Sequence, residues 1–583
     1  MTWRRQERDQ RMLGTWSFER RDDEIADLRF GGRRVLRSIR PVVRDGDWNT
    51  VPLVVDSVAA DGTATELAVR SEVFAGTLRI ELDDAALLVT LDLVAARDVD
   101  TNRTGLIVLH PPQLAGHDLA VGHPDGTTET TRLTAEISAH QPVFDIASLG
   151  WTDDGVQVHV EFTGDVFEME DQRNWTDASF KTYSRPLSLP FPYRVAAGEH
   201  VVQSLRISAV PVEADVAADA PAETAITLHP AGRFPSIGVA ASSAPDPAPV
   251  VESLGSSLLV EADLAGVDWR AALERAVSSG LPLDVRFVLD PAAPEKVAEA
   301  VAALDGVEVV RASAFHQVGG ARHVSDVEAI DLLRRALADH GRSLPVIGGS
   351  RSHFTELNRE LHRLPADLDG LAVTVTPLFH SADTEQLVES VAMQRLVAQE
   401  TVARAAGRPV HIGPIALRPR FNDVAAAPQP LSPHPDLRDG YGPEFTGMDD
   451  GRQSAPELAA WTVASAAALA VPGVDSIAWF EEWGPRGIRD ADGTPLPVAD
   501  ALRQLAALAD IDDAVLLTGP SPDGLVWAIG ARSDSHDDVL LANIDEAPRS
   551  VTLVTPAGRA TVSLAADSVT RIRLTTPPEE QTP

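Results

Sequence analysis

Between residues 237 and 480 apolar runs of four to seven residues alternate with helical patterns, and this periodicity limits the possible folds more than anything else in the chain. Eight runs read as buried strands: Ile237–Ala240, Leu258–Ala262, Leu283–Leu289, Val307–Ala312, Leu344–Gly348, Leu371–Thr376, Val410–Ala416 and Ser476–Phe480. Helical spacing falls between most of them, over Trp269–Ser279, Pro294–Leu304, Val324–His340, Thr384–Ala406 and Ala455–Val471. Strands that are apolar on both faces and separated by helices form a parallel sheet. Eight such units match the roughly 250 residues of a (β/α)8 barrel. A doubly wound open sheet is the alternative, but no Gly-rich dinucleotide turn follows any of the strands.

The flanks read differently. Residues 15 to 215 show short strands with Asp-rich corners, such as the period-two run Val156–Phe162, and almost no helical spacing. Residues 508–575 return to strands. The expected fold class is multidomain, α/β plus all-β: an N-terminal β-sandwich over 1–215, a (β/α)8 TIM barrel over 216–507 and a small C-terminal β-sandwich over 508–575. A flexible tail follows over 576–583.

Composition narrows the function. With 86 acidic against 50 basic side chains the formal charge is -36, which argues against nucleic acid or an anionic membrane as a partner. The chain has no cysteine, so disulfides and thiolate chemistry are excluded. No apolar run is long enough to span a bilayer and no signal-peptide pattern opens the chain, so a cytoplasmic protein is expected. Oligomeric state is not readable.

Two regions concentrate functional groups. The first is Phe167–Tyr183, where Glu170, Asp171, Arg173, Asn174, Trp175 and Lys181 are interleaved with aromatics. Lysine occurs only at 181 and 296, which marks Lys181 further. A polar hairpin is the plain reading of such a run, and a ligand-contacting loop the sharper one. The second is the set of strand carboxyl ends, where barrel chemistry gathers. After the eighth strand Glu481 and Glu482 lie between Trp479, Phe480 and Trp483, and apolar rings favour a raised carboxyl pKa. After the fifth come Arg351, His353, Glu356 and Asn358; Glu356 suits either a helix cap or a site. His316 and His380 end the fourth and sixth strands, and Arg418–Asp423 follows the seventh. No HExxH spacing is present, so a metal would have to be assembled by His316, His353, His380 and an acid from separate strands, and the expectation is no metal and no cofactor. No GxSxG turn is present, which argues against a serine nucleophile.

The run Phe167–Tyr193 resembles the D-apionate lactonase family, as do Val43–Pro52, Asn102–Pro111, Phe354–Arg359 and Thr376–Asp383. The resemblance implies a sandwich, a barrel and a small sandwich in that order, with the first domain reaching over the barrel mouth. It also implies a hydrolase that opens D-apionolactone or a related aldonolactone in carbohydrate catabolism, specifically D-apiose catabolism. The resemblance assigns no residue a role; from the residues themselves, a lactonase would use Glu482, Glu481 or Glu356 as the catalytic general base and Arg173, Asn174 or Asn358 to hold the oxyanion. Trp175 and Trp483 hold the ring of a small sugar-derived substrate, with Glu170, Asp171, Lys181 and His380 around it. The alternative is a glycoside hydrolase using Glu356 with Glu481 or Glu482. The third reading is a carbohydrate-binding protein without turnover.

Overall fold

The computed structural model describes residues 3, 5–212, 225–316, 323–423 and 429–575. The expected tail over 576–583 lies outside them. By contact the chain divides into two units. One comprises Gln6–Arg173 with Ala178–Ala220, and the other Met1–Arg5, Asn174–Asp177 and Pro221–Pro583.

The first unit is all-β. Two nine-stranded sheets share a core that includes Trp16, Phe18, Leu78, Leu91, Val160 and Leu205. Alternation along Val156–Thr163 is complete, with every second side chain buried, as expected of a strand with one face on a core and one in water. Phe167–Asp171 and Phe180–Ser184 pair antiparallel, so the polar run is a hairpin, and both arms are almost wholly buried.

The second unit contains an eight-stranded parallel barrel. Its strands are β1 (Ser236–Ala240), β2 (Leu258–Asp263), β3 (Leu283–Leu289), β4 (Val309–His316), β5 (Gly348–Gly349), β6 (Leu371–Val375), β7 (Val410–Ile415) and β8 (Val474–Glu481). Pairing runs β4-β3-β2-β1-β8-β7-β6-β5. Between β4 and β5 the ladder is a single parallel bridge, Ala312 to Val346, with the Ile347 N–H donating to the Ala312 carbonyl at 3.0 Å. The fifth strand was expected over Leu344–Gly348, yet only Gly348 and Gly349 pair with β6. A pair of glycines offers no apolar pattern to read. The helices are α1 (Trp269–Ser278), α2 (Lys296–Ala302), α3 (Val327–Asp339), α4 (Phe354–Glu360), α5 (Thr384–Ala405), α6 (Leu458–Leu469) and α7 (Pro497–Ala509). Helix α4 bears out the helix-cap alternative for Glu356, and α7 was not expected. In α7 the buried Val498, Ala501, Leu502, Leu505 and Leu508 keep helical spacing.

The remaining strands form a three-stranded and a five-stranded sheet near the carboxyl end, over a core that includes Leu517, Val539, Leu541 and Leu553. Ala225–Thr227 pairs parallel to Arg549–Thr555, and His229–Arg233 pairs with Val515–Thr518. These early strands fall within the stretch first assigned to the barrel, but their hydrogen bonds go to the carboxyl-terminal sheets. Helix α6 is apolar all round because it is covered all round. It packs on α5 and α7 and also against the strands Val526–Arg532 and His536–Asn543.

Gly349 sits at φ +149°, and a Cβ there would lie 1.9 Å from the Ala372 carbonyl oxygen. Gly349→Ala must therefore force β5 from β6. The expected loss is about 1–3 kcal/mol, the usual cost of overpacking, read as a lower urea midpoint at unchanged slope.

Candidate active site

The carboxyl ends of β2, β5, β7 and β8 carry charged side chains tied into one network. Glu261, inside β2, accepts both Arg351 Nη2 and Arg351 Nε, the latter at 3.2 Å, and Arg420 Nη2 lies 3.5 Å away. Burial opposes its charge, but the two guanidiniums outweigh that and hold the carboxyl at about 2. Arg420 also donates to the Arg351 carbonyl at 2.9 Å. The Arg351 N–H in turn donates to the His323 carbonyl at 2.9 Å, so the loops after β4, β5 and β7 are fixed together.

Beside this network His353, Glu356 and Asp423 meet. His353 precedes α4, and Glu356 reaches back to its N–H at 3.1 Å, as the acid of a capping box does. Ser352 Oγ donates to the same Glu356 oxygen at 2.7 Å. His353 Nδ1 pairs with Asp423 Oδ2 at 3.0 Å. Burial works against the charge on Asp423, and the His353 hydrogen bond outweighs it and holds the carboxyl below its usual range. An ionised carboxylate only accepts, so Nδ1 carries the proton. The other ring nitrogen, Nε2, is buried with no hydrogen-bond partner among the described residues, as is Asp423 Oδ1. Burial opposes charge on His353 too, but the Asp423 bond and the nearby acids raise its pKa above the ordinary value. Burial, with the Asp423 charge, pushes Glu356 up to about 7. One donor atom from each of the three lies within 4.8 Å of the others, a spacing compatible with a cation as well as with proton transfer.

Aromatic rings enclose the cluster. Phe379 lies 4.6 Å from the His353 ring and 4.8 Å from His380. Trp175, which belongs to the barrel unit by contact, stacks parallel to Phe379 at 6.2 Å and carries the Arg359 guanidinium at 5.2 Å. His380 Nδ1 pairs with Asp177 Oδ2 at 2.9 Å. Asn358 Nδ2 donates to Asn174 Oδ1 at 3.0 Å, while Arg404 donates to Asn358 Oδ1.

Other expected site residues have structural partners. Arg173 forms a two-point pair with Asp171 at 2.8 and 2.7 Å. It also donates to the carbonyls of Thr134, Ala135 and Glu136. Its donors are thus committed inside the sandwich, which corrects its reading as an oxyanion holder. Lys181 pairs with Glu170 at 2.7 Å. Trp175, with Phe379 and Arg359 over its ring, is a packed side chain and not an open platform. Glu481 and Glu482 part company after Phe480, whose φ of +49° is a strained value for a bulky residue. Glu481 accepts from Ser243 N at 2.9 Å, Ser243 Oγ at 2.8 Å and Arg486 Nε at 3.1 Å. Glu482 accepts from Ser253 Oγ instead, and burial raises its pKa. Trp483 packs under Arg275 at 5.1 Å. His316 pairs with Asp326, which caps α3.

Asp423 and Glu261 were not singled out on sequence. Glu261 had a signal, a lone acid within an apolar barrel strand; Asp423 had none beyond its place after β7.

The fold and these side chains define a (β/α)8-barrel protein with a buried histidine–carboxylate cluster at the carboxyl ends of its strands. Residues 1–211 match the N-terminal domain of D-apionate lactonase, and residues 238–510 match its TIM barrel domain. The chain belongs to the D-apionate lactonase family. A D-apionate lactonase of Brucella anthropi is 26% identical over 593 residues, covering 93% of each chain. Among solved structures, a GH30 endoxylanase from Clostridium papyrosolvens has a TM-score of 0.40 at 13% identity, over 61% of this chain and all of that one. A β-arabinopyranosidase has a TM-score of 0.31 at 12% identity, over 95% and 98%. No helix among the described residues is long and apolar enough to cross a membrane.

A carboxyl whose folded pKa is raised from 4.5 to about 7 favours the folded state only while protonated. That stability is present below pH 4.5 and is lost as pH rises through 7. Glu356→Gln, which stays neutral, is therefore expected to match the wild type at pH 4 and exceed it at pH 8. Urea midpoints at the two pH values check this.

Proposed function

We propose that the protein hydrolyses a sugar lactone, D-apionolactone or a related aldonolactone, to the open sugar acid. The observation that carries this reading is the buried His353–Asp423 pair, whose Nε2 has no partner among the described residues, set beside Glu356. The activity named for the Brucella anthropi relative supports the same substrate class.

In this reading ionised Glu356 takes a proton from water as the water oxygen attacks the lactone carbonyl carbon. A base with a pKa of about 7 is well matched to neutral pH. The His353 Nε2–H faces the oxygen that gains charge, because Asp423 holds the ring by its other nitrogen and keeps it cationic. As the acyl–oxygen bond breaks, the ring oxygen leaves as an alkoxide and collects the His353 proton. The products are a free hydroxyl and a carboxylic acid, which gives up its proton to solvent. Glu356 and His353 then exchange the proton between them to restore the starting state. Glu481, bound by Ser243 and Arg486, is a fixed acceptor in this scheme and not the base. Of the two acids a glycosidase would pair with Glu356, Glu481 is therefore bound on both oxygens, and Glu482 accepts from Ser253 Oγ.

Acid release from D-apionolactone and other aldonolactones tests the proposal, with aryl glycosides assayed alongside. Glu356→Gln and His353→Asn are each expected to lower kcat by about 100- to 10,000-fold, the usual worth of a positioned acid or base. The wild-type rate should rise with pH through about 7, and this limb should vanish in Glu356→Gln. Glycoside cleavage without lactone opening would overturn the assignment. Activity abolished by chelation and restored by a divalent ion would transfer the cluster's role from proton transfer to metal binding.

A further inference from the structure

A hollow of about 40 Å³ opens among the ends of β1, β2, β7 and β8, and no step above uses it. Glu261 and Glu481 line it from the strands on either side of β1, with Arg420, Arg486 and Ser243. The rest of its wall is apolar and includes Ala241, Pro414, Ala416 and Phe480. Tyr441 also lines it. This side chain is only 6% exposed, yet its hydroxyl has no hydrogen bond among the described residues. Burial and the charges of the nearby glutamates push the phenol well above its ordinary pKa, so it stays a donor. The hydroxyl thus opens into the hollow with its hydrogen bond left for a ligand to complete.

We infer that this hollow is a specificity subsite for one primary carbinol arm of the substrate, with Tyr441 as the residue that selects it. The inference rests on the lactone reading above. Size comes first: a water-sized group needs about 10–15 Å³ on this measure, so 40 Å³ holds a CH2OH group and not a ring. Charge comes second. Two fixed carboxylates repel an anion, and both guanidiniums are already committed, Arg420 to Glu261 and Arg486 to Glu481, Glu444 and Asp449. A neutral hydroxyl fits both demands, since it donates to a carboxylate and accepts from the phenol. Its methylene then lies against the alanine and proline walls.

Two lactones that share their ring hydroxyls separate the possibilities. D-Ribono-1,4-lactone carries an exocyclic hydroxymethyl arm and D-erythrono-1,4-lactone does not. Calorimetric dissociation constants for both, on wild type, Tyr441→Phe and the hollow-filling Ala241→Val, give a preference for the arm that needs no turnover. The wild type should prefer ribonolactone, and both variants should lose about tenfold of that preference, the worth of one neutral hydrogen bond. The kcat/KM ratio for the two lactones should fall in parallel. Equal preference in wild type and in variants with unchanged melting temperature would overturn the subsite. Turnover of neither lactone, with the binding preference intact, would overturn the hydrolase reading and leave the subsite standing.

Discussion

One buried carboxylate held by two guanidiniums organises the barrel mouth. Glu261 stands inside β2, Arg351 follows β5 and Arg420 follows β7, so a single charge cluster ties three separate strands. An isolated buried acid would protonate; here the paired cations keep it ionised. Removing one partner from such a cluster typically costs about 3–5 kcal/mol, because the remaining charge stays buried. The cluster also sets positions beyond itself. Arg420 fixes the Arg351 backbone, the Arg351 N–H fixes that of His323, and His323 Nε2 donates to the Asp423 carbonyl at 3.0 Å. The carboxylate that orients His353 is thus placed by a chain of hydrogen bonds that begins at β2.

This arrangement explains how neighbouring acids come to differ. Glu261 and Asp423 each have a cation or a protonated ring against them and stay charged. Glu356 has only a hydroxyl and a backbone N–H on its bonded oxygen, with the Asp423 charge nearby. Carboxyls whose environments push their pKa values apart are the raw material for separating an acid from a base.

Much of the fold was legible because buried parallel strands are apolar on both faces. Leu283–Leu289 shows this best, with all seven residues buried and its bounds matching the apolar run. The fifth strand was displaced because Gly348 and Gly349 pair through backbone alone. Helix α4 was read as a polar loop: its seven residues include Thr355, Glu356, Asn358, Arg359 and Glu360, chosen for caps and contacts more than for an apolar stripe. At the site Glu356 was legible and its partner Asp423 was not, since their meeting depends on closure of the barrel between β5 and β7. Arg173 shows the converse error. Its density of neighbours in sequence suggested a ligand, but Asp171 and three carbonyls account for its donors.

The capping role of Glu356 and the base role proposed for it are in physical tension. A helix cap works best as an ionised acid close to the first-turn N–H groups. Burial beside Asp423 opposes that ionisation, so the residue gives up helix stability above neutral pH to keep a proton within reach. Asp326, the cap of α3, has instead the Arg363 guanidinium beside it. Next to Glu356, His353 Nε2 and Asp423 Oδ1 are buried with no partner among the described residues, and two unsatisfied groups side by side are what a site for a third molecule requires.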